Sequence, residues 1–143
     1  MLVKQISVFL ENKSGSLAKV TRTLCESGID IRALYIAETT DYGVLRMIVD
    51  QPEGAQTALS QKGFTVGETE VIAVAVADRP GTLNAIVEML GTNEISIEYL
   101  YAFVGRASKD AIVIIRVEDP DGVLKLLSKS DFRIMRAQEV YGV

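Results

Sequence analysis

Residues 77–83 read ADRPGTL and follow the apolar run VIAVAV. An earlier stretch, ENKSGSL (11–17), matches this segment at an offset of 66 residues. The flanking positions stay in register at the same offset, so that Leu24 meets Leu90 and the strand-like residue Ile6 meets Ile72. Repetition over this length indicates that the chain contains the same structural unit twice.

The carboxy-terminal parts of the two units match at a slightly different offset. The segment DQPEG (50–54) matches EDPDG (118–122) at an offset of 68 residues. The change from 66 to 68 indicates a two-residue insertion, which we place in the hairpin around GRASKD (105–110), where turn residues cluster. We predict two homologous domains, residues 1–70 and 71–143.

Each unit has the pattern strand, helix, strand, strand, helix, strand. Alternation at Ile6 and Val8 is typical of a strand, and the spacing of Leu17, Val20 and Leu24 is typical of an amphipathic helix. In the first unit we predict a strand at 3–11, a helix at 15–27, strands at 29–39 and 44–49, a helix at 52–62 and a final strand after Gly63.

This βαββαβ order is the ferredoxin-like arrangement. The predicted fold class is α+β, with two antiparallel sheets of strand order 4-1-3-2, paired side by side, and helices on one face. Strand 2 lies at a sheet edge and is apolar in both units, IDIRALYIA (29–37) and ISIEYLYAF (95–103). Because an exposed edge favours pairing, we expect strand 2 of one unit to lie against strand 2 of the other, in the same chain or in a partner chain.

The composition argues against several classes of function. The formal net charge of −4 does not provide the basic surface of a nucleic-acid-binding protein. The chain has no histidine and one cysteine, which argues against a metal centre and against acid–base catalysis by histidine. No apolar run approaches the roughly 20 residues of a membrane span, and the amino terminus does not resemble a signal peptide. We expect a cytoplasmic protein without a cofactor, a nucleic-acid partner or a membrane partner, and we do not expect an enzyme.

The loop between the first strand and the first helix is a candidate anion site. The N–H groups of a helix amino terminus have no partner within the helix, and the helix dipole favours negative charge there. Gly15 and Gly81 allow close approach of a ligand to the backbone, while Asn12 and Asp78 can accept a hydrogen bond from an ammonium group. A single copy would be read as ordinary helix capping. Two copies followed by similar strands favour a binding loop.

The two copies, NKSGSL followed by GIDI (28–31) and DRPGTL followed by EISI (94–97), resemble the ACT domain family of amino-acid-binding regulatory modules. The resemblance covers essentially the whole chain as a tandem pair. Asp30 and Ser96 occupy the position of the family's strand 2 asparagine, and Glu94 stands where the first copy has Gly28.

In this family the ligand lies at a junction of two domains, between the loop of one domain and the start of strand 2 of its neighbour. The resemblance implies one pocket from the Asn12 loop with Ser96, with neutral polar groups, and one from the Asp78 loop with Asp30, with two carboxylates. The implied ligand-binding residues are Asn12, Gly15, Ser16, Leu17, Asp30, Ile31, Asp78, Pro80, Gly81, Thr82, Leu83, Ser96 and Ile97.

The function implied by the resemblance is that of a regulatory protein that senses a free amino acid. Such a protein would act as a homodimer or on a regulated enzyme reached in trans. An alternative remains open, in which the loops only cap their helices and the long strand 2 edges make the chain a protein–protein interaction or oligomerisation module without a small-molecule ligand.

Overall fold

The computed structural model of the chain describes residues 2–38, 41–105 and 109–142. These residues divide into two compact units. The first unit is Lys4–Thr69, and the second unit is Glu70–Tyr141 together with Leu2 and Val3. Each unit has its own hydrophobic core.

The first unit consists of an antiparallel sheet covered by two helices. Its elements are β1 (Val3–Glu11), α1 (Ser16–Glu26), β2 (Ile31–Glu38), β3 (Tyr42–Val49), α2 (Pro52–Gln61) and the beginning of β4 (Val66–Ala77). The strand order is β2-β3-β1, with Ile6 opposite Met47. The chain then returns beside β1, where the Phe9 N–H donates to the Thr65 carbonyl at 3.1 Å.

The core of the first unit lies between one face of this sheet and both helices. Val20 and Leu24 of α1 and Leu59 of α2 are buried against alternate residues of β1 and β3. Burial on alternate strand positions follows from the two-residue period of a strand, and burial on one helix stripe follows from the helical period. The two helices therefore cover the same face of the sheet, as predicted.

The second unit repeats this arrangement. The carboxy-terminal part of β4 is followed by α3 (Thr82–Thr92), β5 (Ile97–Val104), β6 (Asp110–Val117), α4 (Pro120–Ser128), β7 (Arg133–Ile134) and α5 (Ala137–Tyr141). The antiparallel strand order is β7-β4-β6-β5. This is the predicted order 4-1-3-2, and the α+β fold class with its repeated βαββαβ units is confirmed.

The lengths of the two hairpins locate the insertion. Three residues, 39–41, separate β2 from β3, and five residues, 105–109, separate β5 from β6. The two additional residues thus lie in the second hairpin, as predicted. Most of its tip, residues 106–108 of GRASKD, lies outside the described residues.

Two features of the chain complete the description of the fold. The short helix α5 was not predicted from the sequence, and β4 is one continuous strand that belongs to the first unit up to Thr69 and to the second from Glu70. Within the described part of the chain, no helix combines the length and the apolar character needed to cross a membrane.

Candidate functional site

The two strand-to-helix loops adopt the same backbone conformation. The N-caps of α1 and α3 are Gly15 and Gly81, with φ angles of 87° and 94° in the left-handed region. Neither N-cap supplies a side-chain hydrogen bond to its helix. The first-turn N–H groups of both helices therefore lack the Ser, Thr, Asn or Asp N-cap that usually satisfies them.

Each loop is held by hydrogen bonds to backbone carbonyl groups. In the first loop, the Asn12 N–H donates to the Asp41 carbonyl at 3.0 Å, and the Lys13 N–H donates to the Glu11 carbonyl at 2.8 Å. In the second loop, the Thr82 hydroxyl donates to the Ala77 carbonyl at 2.7 Å. These bonds fix the loop backbone without involving the N-cap glycines.

The remaining predicted residues of the loops differ in exposure. Asp78 and Pro80 are exposed, Leu83 is 41% exposed, and Leu17 packs partly against the core of its unit. The Asp78 carboxylate makes no hydrogen bond or ion pair with another described residue. It is therefore available to accept a bond from a ligand ammonium.

The start of strand 2 is irregular at the same place in both units. The register of β2 against β3 shifts between Ile31 and Ala33, and that of β5 against β6 shifts between Ile97 and Tyr99. Such irregularities change the direction of side chains and occur often beside functional sites. The predicted ligand residues Ile31 and Ile97 both lie at this shift.

Asp30 has a partner that sequence reasoning missed. The Arg32 guanidinium donates to its carboxylate at 2.9 Å, and the Asp30 N–H donates to the Asp50 carboxylate at 2.9 Å. The spacing of two residues places Asp30 and Arg32 on the same side of an extended chain, so this pairing could have been inferred from the sequence. Arg32 therefore offsets the charge of Asp30, while the Asp50 carboxylate adds a second negative charge beside it.

Ser96 lies in acidic surroundings. It lines a cleft of ≈ 620 Å³ in the second unit together with Glu94, Glu98, Glu118 and Asp119. Glu94 and Glu98 lie two residues from Ser96 on either side, and Glu118 and Asp119 come from the segment before α4, which is distant in sequence. The pocket that Ser96 would form with the neutral Asn12 loop stays a prediction. Carboxylates in this number favour a cationic group such as an ammonium.

Within one unit, the loop and the start of strand 2 lie at opposite ends of the intervening helix. Helix α1 has 11 residues, and its rise separates its ends by about 16 Å. A free amino acid is shorter than this distance. The structure therefore brings Asn12, Gly15, Ser16 and Leu17 together in one place, and it places Asp30 and Ile31 elsewhere in the same unit.

A second cleft, which the sequence did not predict, adjoins the first loop. It has a volume of ≈ 610 Å³ and is lined by Ser16 and by charged and aromatic side chains of the first unit. The Lys13 ammonium lies 2.8 Å from the Glu11 carboxylate and holds the pKa of that carboxyl below its usual value of 4.5, with a further contribution from Lys19.

Comparison with known proteins agrees with the presence of two repeated units. The sequence matches the model of the ACT domain pair over residues 1–140. Protein BT0572 from Bacteroides thetaiotaomicron is 36% identical, with a TM-score of 0.94, and the alignment covers 100% of this chain and 98% of that chain. No curated protein matches the sequence.

Two more distant solved structures share the fold. The regulatory subunit of aspartate kinase from Thermus thermophilus, in a ligand-free form, is 19% identical with a TM-score of 0.62, and the alignment covers 90% of this chain and 93% of that one. The regulatory subunit from Thermus flavus is 17% identical with a TM-score of 0.60, covering 88% and 90%.

Proposed function

Because the chain belongs to the ACT domain family, we propose that it is a non-catalytic regulatory protein that binds a free amino acid. The observation that carries this proposal is the repeated loop. Gly15 and Gly81 hold left-handed N-caps without a side-chain cap, so two helix amino termini present N–H groups to a carboxylate.

The amino group of the ligand requires an acceptor near this loop. Asp78 supplies a carboxylate three residues before Gly81, and the cleft at Ser96 supplies several more. A carboxylate on helix N–H groups and an ammonium on acidic side chains together match the two charges of a free amino acid.

We propose that the binding site combines two ACT domains, residues 1–70 and 71–143, of this chain or of two copies. The loop would come from one domain and the start of strand 2 from the other. Within one unit the loop and the start of strand 2 are separated by about 16 Å, which supports a site in which two domains each contribute one of them. The predicted pairing of strand 2 with another strand 2 is part of the same proposal.

Ligand binding would act by linkage on a homodimer or on an enzyme reached in trans. A ligand that binds only one arrangement stabilises it by about 2.7 kcal/mol at a hundredfold excess over Kd. This free energy changes a two-state equilibrium by about a hundredfold, which is enough to control association with a partner. The fold neighbours that are regulatory subunits of aspartate kinase are consistent with a role as a separate regulatory chain.

A thermal-shift screen of the twenty amino acids tests the proposal. We expect one amino acid, or a small chemically related set, to raise the Tm by about 5–10 °C at a hundredfold excess over Kd. In Gly81→Val the branched side chain would obstruct the loop, and we expect the shift to be reduced or lost.

Gly63→Val is the matched control for this variant. Gly63 has a φ of 89°, close to that of Gly81, and a Cβ there meets no atom within 4 Å, so the two substitutions impose similar backbone strain. Gly63 is not a predicted amino-acid ligand and belongs to the first unit, where it lines the cleft beside Ser16, so it lies away from the Asp78 loop that Gly81→Val obstructs. The ligand-induced shift should persist in Gly63→Val, and an equal loss in both variants would contradict the assignment of the loop.

The alternative function, an interaction module without a small ligand, rests on the exposed apolar residues of β2. Leu34 and Ile36 are 45% and 42% exposed on this edge strand, and both lie opposite core residues of β3. A thermal-shift screen in which no amino acid changes the Tm would favour this second function over the first.

A further inference from the structure

The first unit contains a cleft that combines cationic and aromatic side chains. We name it the lysine cleft and define it by Lys13, Lys19, Lys62, Glu11, Phe9 and Tyr42, which line its volume of ≈ 610 Å³. It lies where the amino end of α1 meets the carboxy end of α2 and the end of β1.

The charge of the lysine cleft is opposite to that of the whole protein. Three ammonium groups and one carboxylate line it, which leaves two uncompensated positive charges on a chain of net charge −4. Lys13 pairs with Glu11, whereas Lys19 and Lys62 form no salt bridge with any residue that the structure describes. Two ammonium groups are therefore available to a dianion.

The aromatic side chains lie on one side of the cleft. Phe9 and Tyr42 are 53% and 54% exposed, and Tyr42 lies opposite Glu11 in the pairing of β1 with β3. Because residues 9 and 11 point to the same face of a strand, the two rings share the face of the sheet that the helices do not cover. The cleft extends past the end of the sheet, since Lys19 and Lys62 line it as well. Exposed aromatic rings in this arrangement can stack against a planar group.

The second unit has the same fold and keeps a cation, Arg79, at the position of Lys13, but it lacks the rest of this chemistry. At the matching positions, Lys19 and Phe9 are replaced by Ala85 and Ala75, while Lys62 and Tyr42 are replaced by Ser130 and Asp110. The fold does not require lysines or exposed aromatic rings at these places. The lysines and exposed aromatic rings of the first unit are therefore not needed for folding, and a role in binding would explain them.

We propose that the lysine cleft binds a phosphate monoester joined to a planar ring, the chemistry of a nucleoside monophosphate. Near neutral pH a phosphate monoester carries a charge of about −1.5 to −2, which matches the two available ammonium groups. The ring would stack on Phe9 or Tyr42. The cleft includes Ser16 and so borders the predicted amino-acid loop of the first unit, but its three lysines would repel the ammonium of an amino acid, and the proposal therefore concerns a second kind of ligand.

Titration calorimetry with adenosine 5′-monophosphate, adenosine and inorganic phosphate tests this proposal. We expect the monophosphate to bind at least about tenfold more tightly than either fragment, since each fragment makes only half of the contacts. Binding should weaken as salt is raised, because the lysine contacts are partly exposed. Equal affinity for the monophosphate and for inorganic phosphate would overturn the ring contact, and no binding of the monophosphate would overturn the site.

The double variant Lys19→Ala with Lys62→Ser introduces the residues of the second unit. It should weaken monophosphate binding by about a hundredfold, at about tenfold for each charge-assisted contact. Lys125→Ala with Lys129→Ser removes the same charge from the second unit and should leave the affinity unchanged. Equal weakening in both double variants would reduce the effect to net charge and overturn the proposal.

Two further measurements test the ring contact and the independence of monophosphate binding from amino-acid binding. Phe9→Ala should weaken monophosphate binding by about tenfold while leaving phosphate binding unchanged. In the Lys19→Ala, Lys62→Ser variant, any Tm shift induced by an amino acid should remain at its wild-type size. Loss of monophosphate binding with a retained amino-acid response supports two sites, and simultaneous loss of both responses without unfolding contradicts them.

Discussion

At the scale of single residues, the N-cap glycines carry a conformational requirement that can be measured. Gly81 has a φ of 94°, and a Cβ placed there meets no atom within 4 Å. The cost of a side chain therefore comes from the backbone and not from a clash. We expect Gly81→Ala to lower the free energy of unfolding by about 1–2 kcal/mol, measured by urea denaturation.

Gly91→Ala is the control for this substitution. Gly91 lies inside α3 without a positive φ, and it also has open space around its Cβ position. Alanine in a helix should raise the free energy of unfolding by about 0.5–1 kcal/mol. The two Gly→Ala changes should thus have opposite signs, and a common sign would refute the conformational explanation.

Glu94 has the only positive φ among the non-glycine residues that the structure describes. Its φ of 59° corresponds to the 68° of Gly28, which occupies the same position after the first helix of the first unit. We expect Glu94→Gly to raise the free energy of unfolding by about 1 kcal/mol by removing this strain. Gly28→Ala should lower it by a similar amount, and the comparison of urea midpoints checks both.

At the scale of elements, α5 depends on a single carboxylate at its first turn. The Arg136 N–H donates to Glu139 Oε2 at 2.7 Å, and the Arg133 guanidinium donates to Oε1 at 2.9 Å. These donors, the Arg136 N–H first, hold the pKa of Glu139 below its ordinary value of 4.5. The arrangement is that of a helix N-terminus capped by a glutamate three residues after the cap.

The lowered pKa gives α5 a defined pH dependence. The stabilisation is fully present above pH 4.5, and it is lost as the pH falls through the lower pKa that Glu139 has in the folded chain. Amide chemical shifts of residues 137–141, followed from pH 7 to acid, should show the helix fraying in that range. The neutral variant Glu139→Gln should lack this transition, and an unchanged transition would assign it to another group.

The helix that was predicted from the sequence, α1, is longer and buries more residues than α5, which was not predicted. The predicted helix at 15–27 corresponds to α1, Ser16–Glu26, because its buried stripe imposes a clear helical period. Helix α5 spans only five residues, Ala137–Tyr141, and buries Val140, which is too short a segment to show a period. Its formation depends on burial of Val140 and on the glutamate cap, and the residue three before Glu139 is Arg136 and not the Ser or Thr that marks a capping box in a sequence.

The site was predicted less completely than the fold because its neighbours come from distant parts of the chain. The loop glycines and the starts of strand 2 follow from local repeats, so they could be located in the sequence, whereas the register shifts at those starts were not predicted. Lys62 reaches the lysine cleft, and Glu118 reaches the Ser96 cleft, only through the folding of each sheet. The charge around each candidate site therefore required the structure.

At the scale of the whole molecule, the two copies of the loop should not bind equally. Arg32 pairs with Asp30 beside the Asp50 carboxylate, whereas the cleft at Ser96 is lined by four carboxylates. We expect titration calorimetry with the amino acid identified by screening to resolve two affinities. Gly15→Val and Gly81→Val should each remove a different one, while two identical and independent sites per chain would contradict the inequivalence.

The continuous strand β4 has a consequence for how such a chain can evolve. Domains joined by a loop can be exchanged by recombination within the loop, but here the boundary between Thr69 and Glu70 lies inside one strand of 12 residues. Removing either unit would cut β4 between Thr69 and Glu70. The part of the strand that remained would lose those of its backbone hydrogen-bond partners that belong to the removed unit. An exchange of one unit would therefore have to keep β4 whole, and we expect the two units to be inherited together.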